Sequence, residues 1–138
     1  MDATRPVCAI ELHEAPGRRI GAFEESWEAV QSLHWAALAA EAVGGCEQVL
    51  AASVAYATER VQFGTPIGAN QAIAHKCSDM LVRTEAARAI AYHAAREIAS
   101  TESTAPFSAS MAKACATEAY REIASEGIQI HGLSLIHI

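Results

Sequence analysis

Apolar positions along this chain recur by threes and fours over long stretches, a spacing that predicts helices and leaves little room for sheet. From Ser26 the pattern is helical: Ser26 suits an N-cap, and Glu28 places a negative charge where a helix N-terminus favours it. The stretch Trp27 to about Ala57 has no proline and carries Val30, Leu33, Leu38, Val43, Val49, Leu50 and Val54 on nearly all faces. That distribution predicts a largely buried helix. The pair Gly44-Gly45 costs about 1 kcal/mol each against alanine in a helix interior, a cost that the close approach of a second helix would offset. A break follows at Phe63-Gly64-Thr65-Pro66-Ile67-Gly68.

The second helix is expected from about Asn70 to Ser100. Its seam runs Ile73, Cys77, Met80, Thr84, Ala87, Ala91, Ala94 and Ile98, with Lys76, Arg83 and Arg96 off the seam and facing solvent. Beyond a Ser/Thr-rich link with Pro106, a third helix is expected over about Phe107 to Glu126. One face of it carries Ala112, Ala116, Ala119 and Ile123, and Gly127 suits its C-terminal cap. Three long helices on short links pack antiparallel, so the fold class is all-α: three helices of an incomplete four-helix bundle.

Residues 1–25 read differently. Pro6, Pro16, Gly17 and Gly21 surround a short run, Val7 to Leu12, that suits one strand, followed by a turn at Ala15-Pro16-Gly17-Arg18. A single strand finds no partner here for its backbone groups, so it reads as the trailing edge of a sheet that lies upstream. The domain boundaries are therefore a strand and linker over 1–25 and a helical domain over 26–132.

Composition removes several functions. A net charge of −6 with scattered basic residues argues against a nucleic-acid surface. Cys8, Cys46, Cys77 and Cys115 lie far apart without metal-finger spacing, and they read as buried free thiols. The N-terminus lacks a signal-peptide core, and no uncharged apolar run approaches the roughly 20 residues that span a bilayer. The expectation is a cytoplasmic protein with no membrane span and no metal.

The stretch from Glu59 to Ala72 carries the chemical information. Arg60 offers a planar donor fork for a diphosphate, and Phe63 offers an apolar face for a ring system. Gly64 permits a sharp turn, while Asn70 and Gln71 supply amides where a helix N-terminus favours anions. Taken singly, Arg60 could be an ordinary helix-end charge and Phe63 a core anchor. The arrangement Arg-x-x-Phe-Gly, Pro-Ile, Gln-Ala at a helix-to-helix turn, however, resembles the acyl-CoA dehydrogenases. His75, Ser78-Asp79-Met80 and the later Gly127-Ile128-Gln129-Ile130-His131-Gly132 segment fit the same family. The resemblance covers residues 26–132, with residues 1–25 similar to the end of the family's middle β-domain.

The resemblance implies FAD as cofactor, bound by Arg60, Phe63, Asn70, Gln71, Gln129 and Gly132, with a neighbouring subunit completing the site. It also implies an acyl-CoA substrate, oxidised to the 2,3-enoyl thioester, and an electron-transfer acceptor. Three departures stand out. The family's usual glutamate base has no counterpart, because no Asp or Glu follows Glu126. Some members carry the carboxylate on the first helix, at the register of His34. A histidine can take a proton near neutral pH, yet a substrate-pocket or core role for His34, beside Trp35, is preferred, so no catalytic residue is assigned. An Asp-x-x-Arg pattern common in the family reads Ser32-Leu33-His34-Trp35 here, which argues against a standard straight-chain substrate.

After Gly132 a second glycine is expected, but the chain reads Leu133-Ser134-Leu135-Ile136-His137-Ile138, and residues 133–138 read as a non-native tail. The alternatives are a non-catalytic partner subunit or a related flavin oxidase or monooxygenase, and, in another class, a helical scaffold without chemistry. A fourth helix burying five large side chains would contribute about 7–15 kcal/mol, comparable to a whole domain's stability of roughly 5–15 kcal/mol. Without one, this chain is expected to be inactive and to unfold easily or self-associate. A monomeric species with a cooperative thermal melt, seen by sedimentation and circular dichroism, would contradict this.

Overall fold

The structure, a computed structural model, describes residues 8–18 and 21–132. Helix α1 spans Phe23–Glu59, a short antiparallel hairpin pairs β1 (Val61–Gln62) with β2 (Thr65–Pro66), and one 3-10 turn covers Ile67–Ala69. Helices α2 (Gln71–Ala99) and α3 (Ala105–Gly132) follow. The three helices run up, down, up, so α1 and α3 are parallel while α2 lies antiparallel to both. All-α architecture with three long helices is what the periodicity predicts.

Most of the α2 seam is buried as its spacing requires: Ile73, Met80, Thr84, Ala87, Ala91 and Ala94 are inside, with Cys77 and Ile98 half-buried. The core divides in two. One half is built of small side chains, among them Ala39, Ala42, Ala87, Ala94 and Ala112. The other half, toward the hairpin, holds the larger Met80, Ile73, Ile123 and Ile130 with Cys46. Alanines bring helix axes close but bury little apolar area each.

Several expectations need correction. Among the described residues nothing pairs with Cys8–Leu12, whose expected sheet would lie upstream, and a bend falls at His13-Glu14, not at residues 15–18. Val7 and residues 133–138 lie outside the described residues. Helix α1 starts before Ser26, behind Ala22, which caps it in an extended conformation without a side-chain bond. The Phe23 and Trp27 rings, one turn apart, stack at 6.1 Å and extend the first turn. Nor is α1 largely buried: Trp27, Val30 and Leu33 are more than half exposed, because only two helices pack against it among the described residues.

Helix α3 does not stop at Gly127 but runs on to Gly132. Gly127 is a contact residue, not a cap: a Cβ there would lie 2.6 Å from Val49 Cγ1 and 3.3 Å from Ser53 Oγ. Gly45 plays the matching part on α1, where a Cβ would meet the Tyr120 ring at 2.6 Å. Gly44, by contrast, faces open space. The expected close approach is thus made by one member of the glycine pair.

Arg83 is exposed and Lys76 half-buried, and neither stands alone in solvent. They form ion pairs with Glu126 and Glu122 across the α2–α3 interface, the second at 3.2 Å. Where α2 turns into α3, Ser108 Oγ donates to Glu97, and this bond, with one from Thr104, holds the Glu97 carboxyl below the usual range. Of the cysteines, Cys46 is buried and Cys77 half-buried, and burial pushes both thiols up. Cys8 and Cys115 are exposed, the latter on the outer side of the α2–α3 interface. No described helix is long and apolar enough to cross a membrane.

The two glycine environments predict opposite outcomes. Gly44→Ala gains helix propensity at no steric cost and should stabilise the chain by about 0.5–1 kcal/mol. Gly127→Ala gains the same propensity but forces Val49 away, and should destabilise by roughly 1–3 kcal/mol. Thermal unfolding followed by circular dichroism at matched concentration checks both; equal shifts would contradict the packing at Gly127.

Candidate cofactor site

The end of α1, the start of α2 and the end of α3 converge at one end of the bundle, and the hairpin projects from it. Arg60 is the C-cap of α1, its N–H donating to Tyr56 O at 2.9 Å. Its guanidinium is exposed and makes no ion pair among the described residues, unlike Arg83, Arg88 and Arg121. Ile67 N–H donates back to Arg60 O at 2.8 Å, closing the base of the hairpin.

The hairpin turns on two residues, Phe63 (φ 53°) and Gly64 (φ 82°). Positive φ at both positions is the type I′ turn that two-residue hairpins favour. Glycine takes this conformation freely, but Phe63 pays for it, and its side chain is 104% exposed. A large, exposed apolar group held in a strained conformation marks a candidate contact surface. Behind the tip an open groove of about 370 Å³ is lined by Gln62, Phe63, Pro66, Ile67, Asn70 and Ile73.

Asn70 caps α2: its Oδ1 accepts from Ala72 N at 2.9 Å, which leaves the amide's NH₂ as the side it can offer a ligand. Gln71, exposed, opens the helix. On α3, Gln129 is exposed and Gly132 half-buried. All six residues expected at a cofactor therefore lie at this end. His34 and Trp35 do not. They sit in the first third of α1, His34 exposed and Trp35 half-buried; the helix separates Trp35 from Arg60 by about 37 Å at ~1.5 Å per residue.

Two residues not assigned from the sequence stand out here. The Tyr56 and His131 rings stack with centroids 4.4 Å apart, and His131 Nδ1 lies 2.8 Å from Gly127 O. Both carried a readable signal: Tyr56 precedes Arg60 by one helical turn, and His131 lies inside the second motif. Among the described residues, no group of three or more His, Cys, Asp or Glu could hold a metal ion.

A family model described as "Acyl-CoA dehydrogenase, C-terminal domain" matches residues 27–136. The chain belongs to the acyl-CoA dehydrogenase family. Acyl-CoA dehydrogenase IpdE2 of Mycolicibacterium smegmatis is 42% identical over 95 residues, covering 69% of this chain and 29% of its own length. Acyl-CoA dehydrogenase FadE34 of Mycobacterium tuberculosis is 38% identical over 132 residues, 95% of this chain and 18% of its own. The solved butyryl-CoA dehydrogenase of Megasphaera elsdenii superposes with a TM-score of 0.75 at 32% identity, over 80% of this chain and 29% of that one. The chain thus spans less than a third of each of these acyl-CoA dehydrogenases.

Relieving the strain at the hairpin tip should not harm the fold. Phe63→Asn, a residue that tolerates positive φ, should leave unfolding unchanged or raise stability by up to about 1 kcal/mol, whereas Gly64→Ala should cost roughly 1–2 kcal/mol. A clear loss of stability in Phe63→Asn, measured by thermal unfolding, would mean that Phe63 supports the fold after all.

Proposed function

We propose that this chain is the cofactor-binding helical part of an FAD-dependent acyl-CoA dehydrogenase. The parent protein oxidises an acyl-CoA thioester to its 2,3-enoyl form, losing the α-proton to a base and the β-hydride to the flavin. The observation that carries this reading is the closeness, at the base and tip of one short hairpin, of a guanidinium with no ion pair among the described residues and a fully exposed, strained aromatic ring. These residues fit FAD: a diphosphate wants a planar donor fork, and a ring system wants an apolar face. When bound, FAD supplies the two-electron acceptor that no side chain can provide.

In this reading Arg60 binds the diphosphate, Asn70 and Gln71 donate amide hydrogens from the start of α2, and Phe63 packs on the cofactor. Gln129 and Gly132 close the site from α3. His34 and Trp35, about 37 Å away along α1, line the substrate pocket of a different flavin. The functional protein is accordingly an oligomer in which a neighbouring subunit completes each site, and a separate electron acceptor reoxidises the flavin. Residues 1–25 continue from a middle β-domain, the protein works in the cytoplasm, and this segment alone is inactive.

One observation favours a second reading, a subunit that completes a partner's site without chemistry of its own. Ser32, at the start of the Ser-Leu-His-Trp run that replaces the family's Asp-x-x-Arg, is only 4% exposed and donates to Glu28 O at 2.8 Å. It is committed to its own helix and unavailable to acyl-CoA.

In the full-length protein, Arg60→Lys should weaken FAD binding about tenfold and Arg60→Ala more, because lysine cannot reproduce a bidentate fork. Flavin absorbance after gel filtration reads this directly, and unchanged flavin content in Arg60→Ala would sink the assignment. Bleaching of the flavin by an acyl-CoA, with an electron acceptor supplied, separates a dehydrogenase from a non-catalytic partner.

A further inference from the structure

The last described turn of α3 carries two residues of the proposed site. Gln129 and Gly132 both stand on that turn. Three contacts hold it against α1: Gly127 on Val49 and Ser53, the fully buried Ile130, and the His131 ring on Tyr56. The first two set the turn's distance from α1 but leave its outermost residues to side-chain contacts.

His131 supplies those contacts in two directions. Its Nδ1–H donates to Gly127 O at 2.8 Å, which ties the ring to its own helix and fixes the tautomer. Its face lies on Tyr56, 4.4 Å away and 26° from parallel. Tyr56 O in turn accepts the Arg60 N–H that caps α1. A continuous path therefore runs from Gly127 through His131 and Tyr56 to Arg60. It joins the α3 part of the cofactor site to the α1 part, with Gln129 on the exposed side of the same turn.

We propose that His131 is a positioning residue of the cofactor site: it locks the end of α3 onto Tyr56 so that Gln129 and Arg60 address one cofactor in a fixed geometry. It touches Tyr56 and its own helix, and it acts through them. This inference rests on the FAD reading above and deepens it.

The test uses the full-length protein and two substitutions. His131→Ala removes both stack and hydrogen bond, and should weaken FAD binding roughly tenfold. It should also speed hydrogen exchange at the amides of residues 128–132, with little change in the melting temperature. His131→Phe keeps a ring on Tyr56 and should recover FAD affinity to within about threefold of the parent. Affinity is read by flavin fluorescence and exchange by mass spectrometry. Wild-type FAD affinity and exchange in His131→Ala, in a parent that binds FAD, would overturn the inference and leave the cofactor reading intact. Failure of His131→Phe to recover affinity would also overturn it, since the stack would then not be the operative contact. A parent that takes up no FAD at all would remove the reading on which both stand.

Discussion

The close approach of α3 to α1 is the constraint on which the rest of this structure depends. It is made possible where a side chain is missing: Gly45 under the Tyr120 ring and Gly127 against Val49 and Ser53. Because the two helices run parallel, seating one against the other brings their C-termini to the same end. Helix α2, antiparallel to both, delivers its N-terminus there as well. Three chain segments far apart in sequence meet around the hairpin without any long loop to carry them. The ion pairs Lys76–Glu126 and Arg83–Glu122 keep α2 in register with α3 while this happens. Being half-exposed, they add little energy and serve mainly to select one alignment.

That convergence creates an electrostatic difficulty for an anionic cofactor. Two helix C-termini present partial negative charge and one N-terminus presents partial positive charge, each about half an elementary charge. Arg60, just past the end of α1, falls where its charge offsets part of that imbalance. The N-terminus of α2 contributes the remaining positive potential, with Asn70 already spending one oxygen on its cap.

The α2 seam was legible in the sequence because every third or fourth residue met a core on one side, and its N-cap was fixed by Asn70. Gly127 misled because a glycine near a helix end has two meanings, a cap or a contact, and only the position of Val49 on another helix distinguishes them. The same limit explains Lys76 and Arg83: their partners lie dozens of residues away. Apolar residues all around α1 suggested burial, yet periodicity records which faces are apolar, not what covers them. At the site, the hairpin residues were readable because turn chemistry is local. The Tyr56–His131 stack was not, because it depends on the parallel docking of α1 and α3.

The length of α1 bears on how the proposed site must be assembled. His34 and Trp35 lie about 37 Å along the helix from Arg60, more than the ~30 Å diameter of a small domain. A rigid helix of 37 residues cannot fold back to bring its own two ends to one cofactor. If both ends touch flavin, they touch two flavins, and each flavin is then met by one end from each of two chains. The exposed Phe63 fits such an arrangement, since it stands at the hairpin tip with a positive φ and its full surface open. In the proposed assembly the hairpin would reach into a neighbour, and the length of α1 would set how far away that neighbour's cofactor lies.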